Sequence, residues 1–382
     1  MAMSPSFDCP LARSVANRKR QCGIDQTMQD LLFPDGDAAL PPSAPSAPSP
    51  SLRPAKAAAP RLARTAAIEA QVPDPALQAL AEGLPAHVRL GTSTWSYPGW
   101  AGIVWDKAYS ETLLAKQGLS AYARHPLLRS VCVDRAFYRP LSASQYARLG
   151  AMVPPDFRFV VKAPSLVTDA QVRGEEGRGR QPNPAFLSPD IAVREFVQPA
   201  LEGLGAKIGA LVFQLSPLPM SMLAHWPPLL DRLATMLRAL PSLRATAPDA
   251  VIAVEVRDAA LLTPALADVL RQTGATYCLG LHPKLPPIEA QLPMLRALWP
   301  GPLVCRWNFN RRHGAYGYEA AEKLYEPFDR MVDPDIETRA ALARVVLGTA
   351  NAGQNVYVTI SNKAEGSAPL SVRALAEALQ RP

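Results

Sequence analysis

Cysteine is scarce in this chain. There are five in 382 residues, an odd number, and Cys9, Cys22, Cys132, Cys278 and Cys305 show no C-x-x-C spacing. That excludes a disulfide-built scaffold and points to reduced thiols in a cytoplasmic protein. Long apolar runs are missing too: nowhere do about eighteen apolar residues follow one another, the length a membrane span requires. Basic residues at Arg18, Lys19 and Arg20 are not followed by an apolar stretch, so no secretory leader is expected. The five histidines are scattered, and no His-Glu-x-x-His occurs. Gly-x-x-x-x-Gly-Lys-Ser/Thr is absent, which removes the P-loop nucleotide hydrolases.

What is present supports a sizeable core. Hydrophobic residues are 48% and charged residues 19% of the chain. The net charge of +7 is carried mostly by arginine and suits an anionic small molecule or, as the weaker expectation, nucleic acid. The 40 prolines are unevenly placed. Residues 40–60 read LPPSAPSAPSPSLRPAKAAAP, a composition that cannot bury enough apolar surface to offset its ordering entropy. Residues 1–85 are therefore expected to be a disordered Pro/Ala/Ser/Arg-rich tail, and 86–382 the folded domain. Within the tail, QTMQDLLF (26–33) is the one compact apolar cluster, and 74–82 has the pattern of a helix leading into the fold.

From Val88 onward, strand-like runs alternate with helix-like stretches. Strands are expected at 88–93, 130–135, 157–162, 209–214, 251–257, 275–279, 302–307 and 355–361. Helices are expected near 111–124, 142–151, 190–204, 221–240, 263–273, 289–298, 316–349 and 370–380. Ser188-Pro189 and Thr263-Pro264 each place a capping residue before a first-turn proline. Eight such units match a closed (β/α)8 barrel of the TIM type. An open doubly wound sheet would carry a glycine-rich phosphate loop after its first strand, whereas TSTWSYPGW follows Gly91.

Side chains alternate along a strand, so parity sorts inward from outward residues. Val131, Phe159, Leu211 and Val254 fall on the helix-facing side. Ser93, Asp134, Lys162, Gln214, Glu255, Arg257, Arg306 and Asn308 fall on the inner side near strand C-termini. Asn362 joins them by position. The C-terminal mouth is where this fold keeps its functional groups. Three cations and two carboxylates there suggest a clamp for phosphate or carboxylate, with Arg257 and Arg306 as the fork. Glu255 is the candidate acid or base. Lys162 is an electrostatic stabiliser or an imine-forming amine, and Asp134 a second carboxylate. The alternative is a structural ion network plugging the barrel top.

The segment 94–105 carries Trp95, Tyr97, Trp100 and Trp105, and Phe137 and Tyr138 follow the second strand. These aromatics either stack on a ligand ring or seal the loops. His282 is the one histidine just past a strand end, although an exposed loop histidine is the blander reading. A metal site of Asp134, Glu255 and His282 can be drawn, but no spacing demands one. The Gly-rich charged loop 171–184 reads as an excursion after the third strand.

LGTSTWSYPGW (90–100), VCVDRAFYRP (131–140), FRFVVKAPSLVT (157–168), IGALVFQLSP (208–217), IAVEVRD (252–258) and VYVTISNKAEGSAP (356–369) together resemble the domain-of-unknown-function 72, or YecE-like, family. The resemblance covers about residues 88–380 and implies a TIM-type barrel; it implies no reaction. By the same resemblance, Lys162, Gln214, Glu255, Arg257 and Arg306 occupy the family's strand positions. Trp95, Tyr97, Phe137 and Tyr138 occupy its loop positions. Cys132 stands where the family has Glu, Asp134 where it has Asn, and Asp169 and Asp258 where it has His. These departures raise a second class of function, a catalytically inactive member that acts as a binding protein. No cofactor is named by any motif.

Overall fold

The computed structural model describes residues 67–173 and 179–380. The expected tail up to residue 66, with its 26–33 cluster, and the loop centre at 174–178 lie outside the described residues.

Strand formation follows the β-branched and aromatic runs read from the sequence. The barrel strands are β1 (Val88–Thr92), β2 (Ser130–Val133), β3 (Arg158–Lys162) and β4 (Ile208–Gln214). They continue with β5 (Val251–Glu255), β6 (Thr276–Leu281), β7 (Leu303–Trp307) and β8 (Val356–Ile360). All pair in parallel with their sequence neighbours, and β1 pairs with β8 to close the barrel. In register, Gln214 lies beside Glu255, and Gly280 beside Arg306. A short antiparallel hairpin, Gln171–Arg173 with Gly179–Pro182, is inserted after β3. Among the described residues no helix is long and apolar enough to cross a membrane.

The strands separate two apolar regions. Outside, Val131, Phe159, Leu211, Val254, Tyr277 and Val358 pack beneath the helices. Inside, Cys132, Val160, Ala210, Val212, Ala253, Cys278, Val304 and Tyr357 fill the barrel. The alternation expected from parity is therefore the observed one. The N-terminal end is closed by ion pairs: Arg89 and Arg158 reach Asp249 at 3.1 and 2.7 Å. The Tyr357 hydroxyl donates to the Asp249 carbonyl at 2.8 Å.

Several expected helices are divided, each time at a helix breaker. The stretch 316–349 becomes Tyr318–Tyr325 and Ile336–Asn351, with Pro327 and Pro334 between them. The stretch 221–240 becomes Met220–Ala224 and Pro227–Ala239, the second helix opening on a proline. Residues 190–204 hold a π-helical turn, Val193–Val197, which ends two residues before Pro199. A proline offers no N–H and crowds the carbonyl four residues back, so the turn widens there. Thr263 caps its helix as expected, accepting from the Leu266 N–H, and Gly274 ends it at φ +69°. Ser188 makes no side-chain cap.

The folded unit starts ahead of the expected boundary at 85. Ile68 is buried in the core, and Gln71 donates its N–H to the Val104 carbonyl at 2.9 Å. Helix Pro75–Glu82, capped by Asp74, meets the last helix, Ala368–Gln380, where Gln380 donates to the Leu80 carbonyl at 2.8 Å. Leu77 and Leu80 bury one side of this helix, apolar area that the proline-rich stretch upstream lacks.

Candidate functional site

The mouth is built around Arg306, on β7. Its side chain is 2% exposed, and its Nη1 contacts Glu255 Oε2 at 2.7 Å while Nη2 contacts Asp134 Oδ1 at 2.6 Å. Nη1 also donates to Gln214 Oε1 at 3.2 Å. Arg257 approaches from just past the end of β5, the strand that carries Glu255: its Nη2 contacts Glu255 Oε1 and Gln214 Oε1, both at 2.8 Å. Asn308 completes the ring, donating to Glu255 Oε1 at 3.4 Å. Gly280 lies beside this carboxylate and makes room for Leu285, since a Cβ there would come within 2.9 Å of the Leu285 side chain. Parity thus brings Asp134, Gln214, Glu255, Arg257, Arg306 and Asn308 together as the sequence predicted.

The electrostatics follow from burial and pairing. Burial opposes the charge on Glu255, but Arg257 and Arg306 outweigh it and hold the carboxyl below its usual range. Burial likewise opposes the charge on Arg306, and the two carboxylates more than restore it. The Cys132 thiol, pushed up by burial, donates to Asp134 Oδ1 at 3.1 Å. A thiol therefore occupies the position next to the carboxylate, held protonated.

Lys162 is different. It ends β3, half-buried, and its Nζ lies 3.4 Å from the centroid of the Phe137 ring. It makes no hydrogen bond or ion pair among the described residues. Burial holds it down to about 8, helped by Arg306 and Arg257 against the pull of Asp134. Open donors and acceptors remain elsewhere as well. Arg257, 12% exposed, uses only Nη2 among the described residues, leaving Nε and Nη1 free. Asp134, 36% exposed, keeps Oδ2 free.

Other candidates have packing duties. Trp95 is 4% exposed and lies under the Arg135 guanidinium, so its ring is no platform for a ligand. Tyr97 is wedged against Trp100 and Phe328. Asn362 is fully buried; its Oδ1 accepts from Trp100 Nε1 at 3.2 Å and the Ala368 N–H at 2.7 Å. It joins the loop after β8 to the loop after β1. Only Tyr138 is half exposed, edge-on to Phe137. Ser93 makes no side-chain hydrogen bond among the described residues; its N–H donates to the Ile360 carbonyl at 3.0 Å. The family-position departures are also tied down. Asp169 accepts the Ser216 hydroxyl, and Asp258 accepts the Leu218 N–H at 2.9 Å.

His282 is half-buried, and burial followed by Arg257 lowers it to about 4. Its Nδ1 lies 3.1 Å from the Lys284 N–H and accepts from it, which assigns the ring proton to Nε2. The drawn metal site is not assembled: among the described residues no group of three or more metal-binding side chains occurs. The sequence reading missed a buried network beside the mouth. His313 Nε2 meets the Tyr325 hydroxyl at 2.6 Å, and Tyr325 donates to Asp333 at 2.7 Å. No local pattern joins these positions, because the expected single helix placed Tyr325 and Asp333 on one rod.

A family profile described as "Protein of unknown function DUF72" matches residues 89–382. Among solved structures, a DUF72 family protein from Enterococcus faecalis is similar at 19% identity, with a TM-score of 0.51. That match covers 77% of this chain and 96% of the other. A DUF72 family protein from Thermotoga maritima is 20% identical with a TM-score of 0.48, covering 77% of this chain and 99% of the other. The first of these bears on the fold alone. No curated protein matches.

Proposed function

Because the chain belongs to the DUF72 family, whose name carries no reaction, we propose a function from its own barrel mouth: binding a small anionic molecule and moving a proton on it. One observation carries this reading. The two carboxylates, Glu255 and Asp134, are matched by Arg257 and Arg306, so the Lys162 charge is left over. The Lys162 ammonium and the free edge of Arg257 are donors with no internal acceptor, suited to phosphate or carboxylate.

The proton role falls to Asp134 rather than Glu255. Both Glu255 oxygens are held by arginines and the side chain has no exposure, so it acts as the counter-charge that orients the two guanidiniums. Asp134 is the accessible carboxylate, and Lys162 is the nearby group that gives up a proton close to neutral pH. A reducing, cytoplasmic setting accords with the free thiols Cys132, Cys278 and Cys305.

Thermal unfolding with added inorganic phosphate or oxalate tests the reading. The wild type gains stability with ligand concentration, by about 2.7 kcal/mol at a hundred times Kd. Lys162→Met abolishes the gain. A competing reading, a purely structural ion network, is favoured by the full pairing of Arg306; it requires equal behaviour of wild type and Lys162→Met.

A further inference from the structure

We propose that the ligand carries a carbonyl group beside its anionic group, and that Lys162 captures the carbonyl carbon as an imine. This rests on reading the mouth as an anion site and adds the substrate class: small aldehydes or ketones bearing carboxylate or phosphate.

The placement of the amine carries the inference. An ammonium has three donors and no acceptor, so a half-buried one is normally met by carboxylates or carbonyls. Lys162 Nζ instead faces a ring, at 3.4 Å from the Phe137 centroid, and makes no hydrogen bond among the described residues. The ring face attracts the ammonium but is no carboxylate partner, so losing the proton breaks no ion pair, and the lone pair set free is what a nucleophile requires. The carboxylate that would otherwise pair with it, Asp134, is turned to Arg306 at 2.6 Å. The charges around the amine are Asp134, Glu255, Arg306 and Arg257; burial and the two arginines keep it near 8. Asp134 Oδ2 is free to shuttle protons, and Arg257 Nε and Nη1 are free to hold the anionic end.

The step balances without an oxidant or reductant. The amine lone pair forms the C–N bond while the carbonyl π pair moves to oxygen. The nitrogen loses a proton to Asp134, which passes it to the oxygen and gives a carbinolamine. The nitrogen's second proton then reaches the hydroxyl through Asp134 as the C=N bond forms, and the oxygen leaves as water. The imine draws electrons from the neighbouring carbon, so a proton there becomes easier to remove, in keeping with the proton transfer proposed above.

The full-length protein, incubated with glyoxylate and sodium borohydride and mapped by peptide mass spectrometry, provides the test. Borohydride reduces an imine to a stable carboxymethyl amine. Labelling at Lys162 is expected to run about tenfold or more ahead of the exposed Lys116 and Lys323. The Lys162-to-Lys116 ratio is expected to be higher with glyoxylate than with acetaldehyde, which has no anionic end. Labelling of Lys162 at or below the exposed lysines overturns the proposal, and so does an equal ratio for the two aldehydes. If phosphate still stabilises the protein through Lys162 while labelling fails, the imine is refuted and the anion site stands. If both fail, the anion site falls as well.

Discussion

Arg306 is the residue on which the mouth depends. It reaches Glu255 and Gln214 at the ends of two strands and Asp134 just past the end of a third. Removing it leaves Glu255 buried with Arg257 as its one cationic partner. Arg306→Met is therefore expected to lower unfolding stability by about 3–5 kcal/mol, measured by chemical denaturation. Lys162 has the opposite sign. Its value falls from 10.5 to about 8 in the fold, so below pH 8 the folded state holds a charge it disfavours. Lys162→Met is expected to raise stability by about 1–3 kcal/mol near neutral pH. The gain should be complete below about 8 and fade as pH rises to 10.5, which denaturation at several pH values would show. A group that costs stability where it stands is better explained by use than by structure. Residue identity foretold the inward set, since each member sits at an inner parity position. It did not foretell that Lys162 lacks an ionic partner, because that depends on which carboxylate Arg306 captures.

At the scale of elements, alternation and breakers explain most of what is seen. The strands divide their apolar residues between the helix side and the barrel interior and carry polar residues at their C-terminal ends to the mouth. The helices end where a proline or glycine forces an end. Thr263 holds the first turn of Pro264–Thr273, and Thr263→Ala is expected to cost about 1 kcal/mol in thermal unfolding. Helix Pro75–Glu82 lies against the last helix through Leu77, Leu80 and Gln380. A chain beginning at residue 86 is therefore expected to unfold at lower temperature than one beginning at 67, by differential scanning calorimetry. The sequence pattern foretold this helix at 74–82 but counted it with the tail, because its few apolar residues become meaningful only when a neighbouring helix receives them.

The whole molecule has a pH response set by its buried histidines. Burial lowers His125 from 6.5 to about 4, and burial with Arg257 does the same for His282. Between those values the unfolded chain binds more protons than the folded one. Stability should accordingly be full above about pH 6.5 and fall as the pH drops toward 4, by on the order of a few kcal/mol in urea titrations. The Glu255 carboxyl, held below its ordinary range by Arg257 and Arg306, loses its charge only at more acid pH than a free glutamate does. If a nucleic acid were the partner instead, binding would weaken steeply with added salt.

The barrel, its strand order and the direction of each inward side chain were determined by the sequence alone. Period-two alternation leaves a strand one way to bury its apolar face, and right-handed crossovers leave one way to close the sheet. Pairing, exposure and spare capacity were decided only by tertiary structure. Trp95 and Asn362 were drawn into packing, Glu255 was enclosed between two arginines, and Lys162 was left against a ring. Charge pairing is settled by distances of a few ångströms between strands far apart in the chain, and no local pattern encodes those distances.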